Sequence, residues 1–147
     1  MNLTKHFTLS ELCNSETAAR KGLDNHPTDE VIAQLKYTCA GLERIRQITN
    51  AAIVVTSGYR SPSVNHAIGG NATSQHCKGE AADITCPAYG HPVNLMDAIV
   101  ASKIDYDQLI LEYCDSVRGT GWIHISFTHH PRKMALIIDR SGTRVYA

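Results

Sequence analysis

The sequence predicts a single α+β domain spanning residues 1–147: a small, mostly antiparallel sheet with helices packed on it. Three observations carry this. The longest helical periodicity comes early, several short β-branched apolar runs cluster later, and no repeat, linker or low-complexity tract divides the chain. A chain of 147 residues is also long enough to bury a core without disulfides or a structural metal. The 14 basic and 14 acidic residues cancel, which predicts no broad positive field for nucleic acid or an anionic membrane.

Taken in order, Thr8 and Glu11 have the spacing of a capping box and open a first short helix at residues 7–12. Residues 25–30 read as a turn and cap before the clearest helix, where Val31, Leu35, Thr38, Leu42 and Ile45 recur at three- and four-residue steps. It is expected to end near Thr49 and Asn50. Residues 51–56 read as a buried strand closed by Ser57-Gly58. Residues 59–78 are rich in Ser, Asn, Gly, Thr and His and predict a long loop with one helical turn around 63–67; loops of this length are often functional. A strand at 81–86 stops at Pro87, a helix follows at 92–102, and residues 108–113, 122–127 and 134–138 read as three strands, the last two as consecutive antiparallel neighbours.

Two polar residues sit where an apolar strand should have none: Asp83 in 81–86, and His124 between Ile123 and Ile125. A buried carboxylate needs a cation or several donors. His76 ends the polar loop seven residues before Asp83, and Gly79 permits a tight turn between them. Two histidines and a carboxylate form a ligand set that zinc accepts, with a fourth position open for water. Each also has a plainer reading, since a histidine in a strand is often only a hydrogen-bonded core or edge residue.

The surrounding residues carry more. Ser57-Gly58-Tyr59-Arg60-Ser61, Gly69-Gly70, Ser74-Gln75-His76-Cys77-Lys78-Gly79-Glu80-Ala81-Ala82-Asp83 and Trp122-Ile123-His124-Ile125-Ser126 resemble the signature of the M15 zinc peptidases. That group contains D-alanyl-D-alanine carboxypeptidases, D,D-dipeptidases and phage peptidoglycan endopeptidases, and shares its fold with the hedgehog signalling domain. Phe7 to Leu12, Asn25-His26-Pro27 and Asp107-Gln108-Leu109-Ile110-Leu111-Glu112 are similar to its phage and prophage branch.

The resemblance implies zinc bound by His76, Asp83 and His124, Arg60 facing the substrate carbonyl, Ser74 at the substrate cleft and Trp122 as a cleft wall. Many members have an acidic residue three positions before the last ligand, where this chain has Gly121. Glu112 is then the expected general base, with Asp115 and Glu80 as alternatives.

The expected substrate is a bacterial peptidoglycan peptide cut by an endolysin-like endopeptidase; a D-alanyl-D-alanine carboxypeptidase and a non-catalytic zinc-bearing binding or virion domain are the rivals. The expected state is a monomer without nucleic acid or stable membrane association. With no visible signal peptide, it would be made in the host cytoplasm and reach the periplasmic wall after release. Cys13, Cys39, Cys77, Cys86 and Cys114 show no Cys-x-x-Cys pairing and are expected to be reduced, mostly in the core. His129 and His130 are expected in a solvated hairpin turn, and His6, His26, His66 and His91 at surface or turn positions.

Overall fold

The computed structural model describes residues 1–115 and 117–146. Helix α1 (Leu9–Cys13) starts on the anticipated capping box, with Thr8 accepting from the Glu11 amide and Glu11 returning to the Thr8 amide. Helix α2 (Glu16–Lys21), not foreseen, is too short to show periodicity; Ser15 caps it and Gly22 closes it in the left-handed region. Helix α3 (Asp29–Thr49) carries the expected apolar stripe: Leu35, Cys39, Leu42 and Ile45 are fully buried. Asn50 ends it. None of the described helices is long and apolar enough to cross a membrane.

Strand β1 is Val54–Ser57, and residues 58–80 hold helix α4 (Pro62–Ala67) and a 3-10 turn at Gln75–Lys78 rather than one open loop. Then come β2 (Ala81–Thr85), α5 (Pro92–Ser102), β3 (Gln108–Asp115), β4 (Thr120–Ser126), β5 (Met134–Asp139) and β6 (Gly142–Val145). They form one open sheet in the order β1-β2-β4-β3-β5-β6, with every pairing antiparallel except β3 with β5. The mixed α+β class with a mostly antiparallel sheet is the one expected from the sequence.

Two expectations need correction. The apolar run at 51–56 is not a buried strand: the strand begins only at Val54, on the sheet edge, where Val54 and Thr56 are exposed and Val55 is half-buried. The burial there falls instead on Ile53, ahead of the strand. Nor are β4 and β5 neighbours. Both edges of β4 are taken, by β2 and β3, so the chain crosses β3 and lies down parallel to it on the far side. β5 therefore runs opposite to β4, as expected, but with a strand between them. This also means that the link holding His129 and His130 is a crossing segment, not a hairpin turn; both are exposed, His129 stacking on Tyr37.

Alternation along the strands divides the sheet into two chemistries. Ala82, Ile84, Leu109, Leu111, Ile123 and Ile125 point into the core, where Leu35, Leu42, Ile45, Leu95, Met96 and Ile99 meet them. Asp83, His124, Trp122, Ile110 and Glu112 therefore share the opposite face, which the long segment before β2 overhangs.

Candidate metal centre and cleft

Strand register brings two of the three expected ligands together. Asp83 on β2 stands directly opposite His124 on β4, so their side chains emerge side by side on the open face. His76 reaches them from the 3-10 turn, which Ser74 caps by accepting from the His76 amide and Gly79 closes at φ 76°. The Asp83 Oδ1 atom lies 3.4 Å from His76 Nε2 and 3.3 Å from His124 Nδ1.

Those separations suit a metal site better than a hydrogen-bonded cluster. They are longer than a good N–H···O bond of about 2.9 Å. They match the roughly 3.4 Å edge of a tetrahedral centre whose ligands stand about 2.1 Å from the ion. Asp83 Oδ1 is buried and has no hydrogen-bond partner, so the pocket leaves an ionised oxygen for a cation to satisfy. Burial alone would push the Asp83 carboxyl up, but protons on the facing His124 and His76 nitrogens overcome it and hold it well below the usual carboxylate range, and a cation among the three would act in the same sense in place of those protons. The three residues fit a metal ion, and all their ligand atoms lie within 4.8 Å of one another.

The chain around His76 fixes which nitrogen it offers. Its Nδ1 donates to the Gly58 carbonyl at 2.7 Å, leaving Nε2 with its lone pair toward the ion position. Gly58 is wedged against the backbone of α1: a Cβ there would collide with the Leu12 carbonyl, and the Tyr59 amide donates to that same oxygen. Gly58→Ala should therefore shift the carbonyl that orients His76 and weaken metal binding by roughly ten- to a hundredfold, the usual effect of losing such a support. Competition with a colorimetric chelator checks this, and wild-type affinity in the variant would refute it.

The three candidate ligands open into a cleft of about 720 Å³. Arg60, Ser74, Glu112 and Trp122, all expected at the site, line it together with Asn71, Thr73, Gln75, Gln108 and Arg132. Arg60 Nη2 donates to Ser74 Oγ at 3.3 Å, and Arg60 Nε is buried without a partner. Ser74 thus holds both the turn under His76 and the arginine. Trp122 forms part of the wall, its ring 5.6 Å from that of Tyr113.

Glu112 stands opposite Trp122 in the β3–β4 register. Besides Asp83, it is the one carboxylate among the described residues that lines the cleft. Burial first, then the Asp83 charge, push its carboxyl above the ordinary range, against a smaller opposing pull from His124 and then His76. The alternatives point elsewhere. Asp115 accepts from the amides of Val117 and Arg118, and Glu80 lies outside the cleft lining. Position 121 has no room for a base: Gly121 has φ 113°, and a Cβ there would strike Cys114.

Five cysteines are free, and burial pushes the Cys39 thiol up to about 12 and those of Cys13 and Cys114 to about 11, so these three are inert packing groups.

Sequence reasoning missed a buried hub beside the cleft. Asp107, 2% exposed, accepts from Arg132 Nε at 2.9 Å, Arg132 Nη2 at 2.6 Å and Gln75 Nε2 at 2.7 Å. It also accepts from the Arg132 amide at 3.0 Å. One carboxylate so ties the turn beside His76 to the segment crossing β3. An aspartate next to a strand was visible in sequence, but its partners lie 32 and 25 residues away and nothing local announces them. The Arg132 fork, assisted by Gln75, holds the Asp107 carboxyl down at about 2. The folded value lies below the unfolded one of about 3.9, so this stabilisation is complete above that pH and is lost as pH falls toward 2. Urea unfolding should show a gap between wild type and Asp107→Asn on the order of 2 kcal/mol at pH 6 that narrows by pH 2 to 3. A gap independent of pH would count against it.

No match was found among curated proteins. Residues 5–126, which include the three candidate ligands together with Arg60, Ser74, Glu112 and Trp122, match the family described as Peptidase M15, and the chain belongs to that family.

Proposed function

We propose that this protein is a zinc-dependent peptidase that hydrolyses peptide bonds in the stem peptides or cross-links of bacterial peptidoglycan, as an endolysin-like endopeptidase. The observation that carries the reading is one cleft in which a fitted two-histidine, one-aspartate site, the Glu112 carboxylate and the Arg60 guanidinium face a common space. Zinc suits this borderline nitrogen and oxygen set, and when bound it supplies Lewis acidity to the scissile carbonyl and acidifies an attacking water.

The chain's own residues do the rest. Glu112, half-buried and raised, takes a proton from the attacking water and gives it to the departing amine. Arg60, already oriented by Ser74, meets the negative charge that grows on the carbonyl oxygen; a pre-placed donor of this kind contributes about 3 kcal/mol. Trp122 and the loop residues Asn71 and Thr73 confine the peptide. The reading needs no nucleic acid, membrane or second subunit, and sets the action at the periplasmic wall.

The test is to digest purified peptidoglycan with zinc-loaded protein and identify the fragments by mass spectrometry. Internal cleavage of stem peptides or cross-links is expected. Loss of terminal D-alanine alone would make the protein a carboxypeptidase, and intact peptidoglycan beside a stoichiometric zinc content would reject hydrolysis.

A further inference from the structure

A second cavity, of about 520 Å³, adjoins the cleft at the turn ends of the β3–β4 and β5–β6 hairpins, and Trp122 lines both. The chemistry above uses nothing in it but that ring. Strand alternation would send Tyr113 to the face opposite Glu112. The register of β3 against β4 instead slips between Glu112 and Asp115, and Tyr113 takes φ 51°, a left-handed conformation that bulky side chains rarely adopt. Bulges of this kind re-aim a side chain beside a working site. Here the Tyr113 ring lies 5.6 Å from that of Trp122, inclined to it at 34°, while Tyr113 stays 46% exposed. The two rings form a shallow aromatic dish.

The rim around the dish carries both signs of charge in equal number, Asp115 and Asp139 against Arg118 and Arg140. Arg118 stands 3.7 Å from Asp115 and Asp139 is held by Arg144, so the rim has no excess charge with which to select an ion. Turn amides fix both carboxylates in place, those of Val117 and Arg118 on Asp115 and that of Ser141 on Asp139. The rim therefore offers hydrogen bonding in both senses, carboxylates accepting and guanidiniums donating. A matching ligand has an apolar face for the rings and neutral groups at its edge that donate and accept. A pyranose sugar has both: a face of C–H bonds, which the negative face of an aromatic ring attracts, and hydroxyls around it. A flat ligand would cover only one of two rings inclined at this angle.

We propose that this cavity binds a pyranose ring of the wall glycan, with Tyr113 and Trp122 stacked on its C–H face and the rim residues meeting its hydroxyls. The proposal rests on the peptidase reading and deepens it. Trp122 stands opposite Glu112, so a sugar on its ring borders the reacting end of the cleft, and the preferred substrate is a stem peptide still attached to its sugar.

A sugar without peptide tests the site apart from turnover. Trp122 is the single tryptophan, so its fluorescence reports occupancy. Chitotetraose, the uncharged tetramer of N-acetylglucosamine, should shift that emission saturably. Tyr113→Asn removes the ring but suits the left-handed backbone, and should weaken binding by roughly tenfold at unchanged zinc content. Tyr113→Phe, which keeps the ring, should bind like wild type. In turnover, zinc-loaded wild type should cut a disaccharide-linked stem peptide with a kcat/KM roughly tenfold above that for the same peptide free, the same stacking contribution expressed as rate. Tyr113→Asn should cut both at the rate of the free peptide.

No response to chitotetraose, binding that Tyr113→Asn leaves intact, or equal cleavage of linked and free peptide by wild type would each overturn the site. Tyr113-dependent binding of chitotetraose by a protein that cuts no wall peptide would instead leave the site standing and remove the peptidase reading. Cleavage of wall peptides without chitotetraose binding would do the reverse.

Discussion

Replacing Glu112 by glutamine is expected to leave the metal bound and to lower turnover by roughly 10²- to 10⁴-fold, the range associated with losing a positioned acid or base. The substitution keeps the shape of a half-buried side chain packed across from Trp122 and removes only its ability to take a proton. The cleft offers no replacement among the described residues, since its other carboxylate, Asp83, faces both histidines. Zinc content by atomic absorption and kcat on a wall peptide separate the two effects. Wild-type turnover in the variant would move the base elsewhere, and lost zinc would make Glu112 a support of the ion site.

Replacing His76 by alanine should abolish metal retention while leaving the fold intact. The ion would keep only Asp83 and His124, and the Gly58 carbonyl would lose its donor. Two ligands in place of three predict an affinity loss well beyond the roughly ten- to hundredfold effect of disturbing an orienting partner. Yet His76, Asp83 and His124 all lie outside the apolar cluster that joins α3 and α5 to the sheet. Far-UV circular dichroism should therefore match wild type, while dialysed protein carries no zinc. A variant that holds zinc stoichiometrically would disprove the ligand assignment, and one that unfolds would make the centre structural.

How much of this was readable in the sequence follows from what a local pattern encodes. Asp83 between Ala82 and Ile84, and His124 between Ile123 and Ile125, break strand alternation in a way that already implies a polar face, so the ion site was legible. Period two tells which face a residue takes but not which strand lies next to it. That is why the pattern makes β4 and β5 look like neighbours, and why Val54 reads as buried although its strand is an edge. Strand β6, exposed throughout, has no apolar face to betray it. The Gln75–Asp107–Arg132 hub depends on β3 being crossed by residues 128–133, a feature of topology that no window of sequence contains.

That crossing has a consequence for how the protein divides its labour. Every residue assigned to the reaction falls within the 5–126 stretch that defines the family. Arg132, Leu136 and Ile138, which form the far wall of the same cleft, all come after it. Because β5 adds to an edge of β3 that the earlier strands leave free, one wall of the cleft is contributed by a strand that carries none of the reacting groups, so a substitution at Leu136 or Ile138 changes the shape of the cleft without altering those groups.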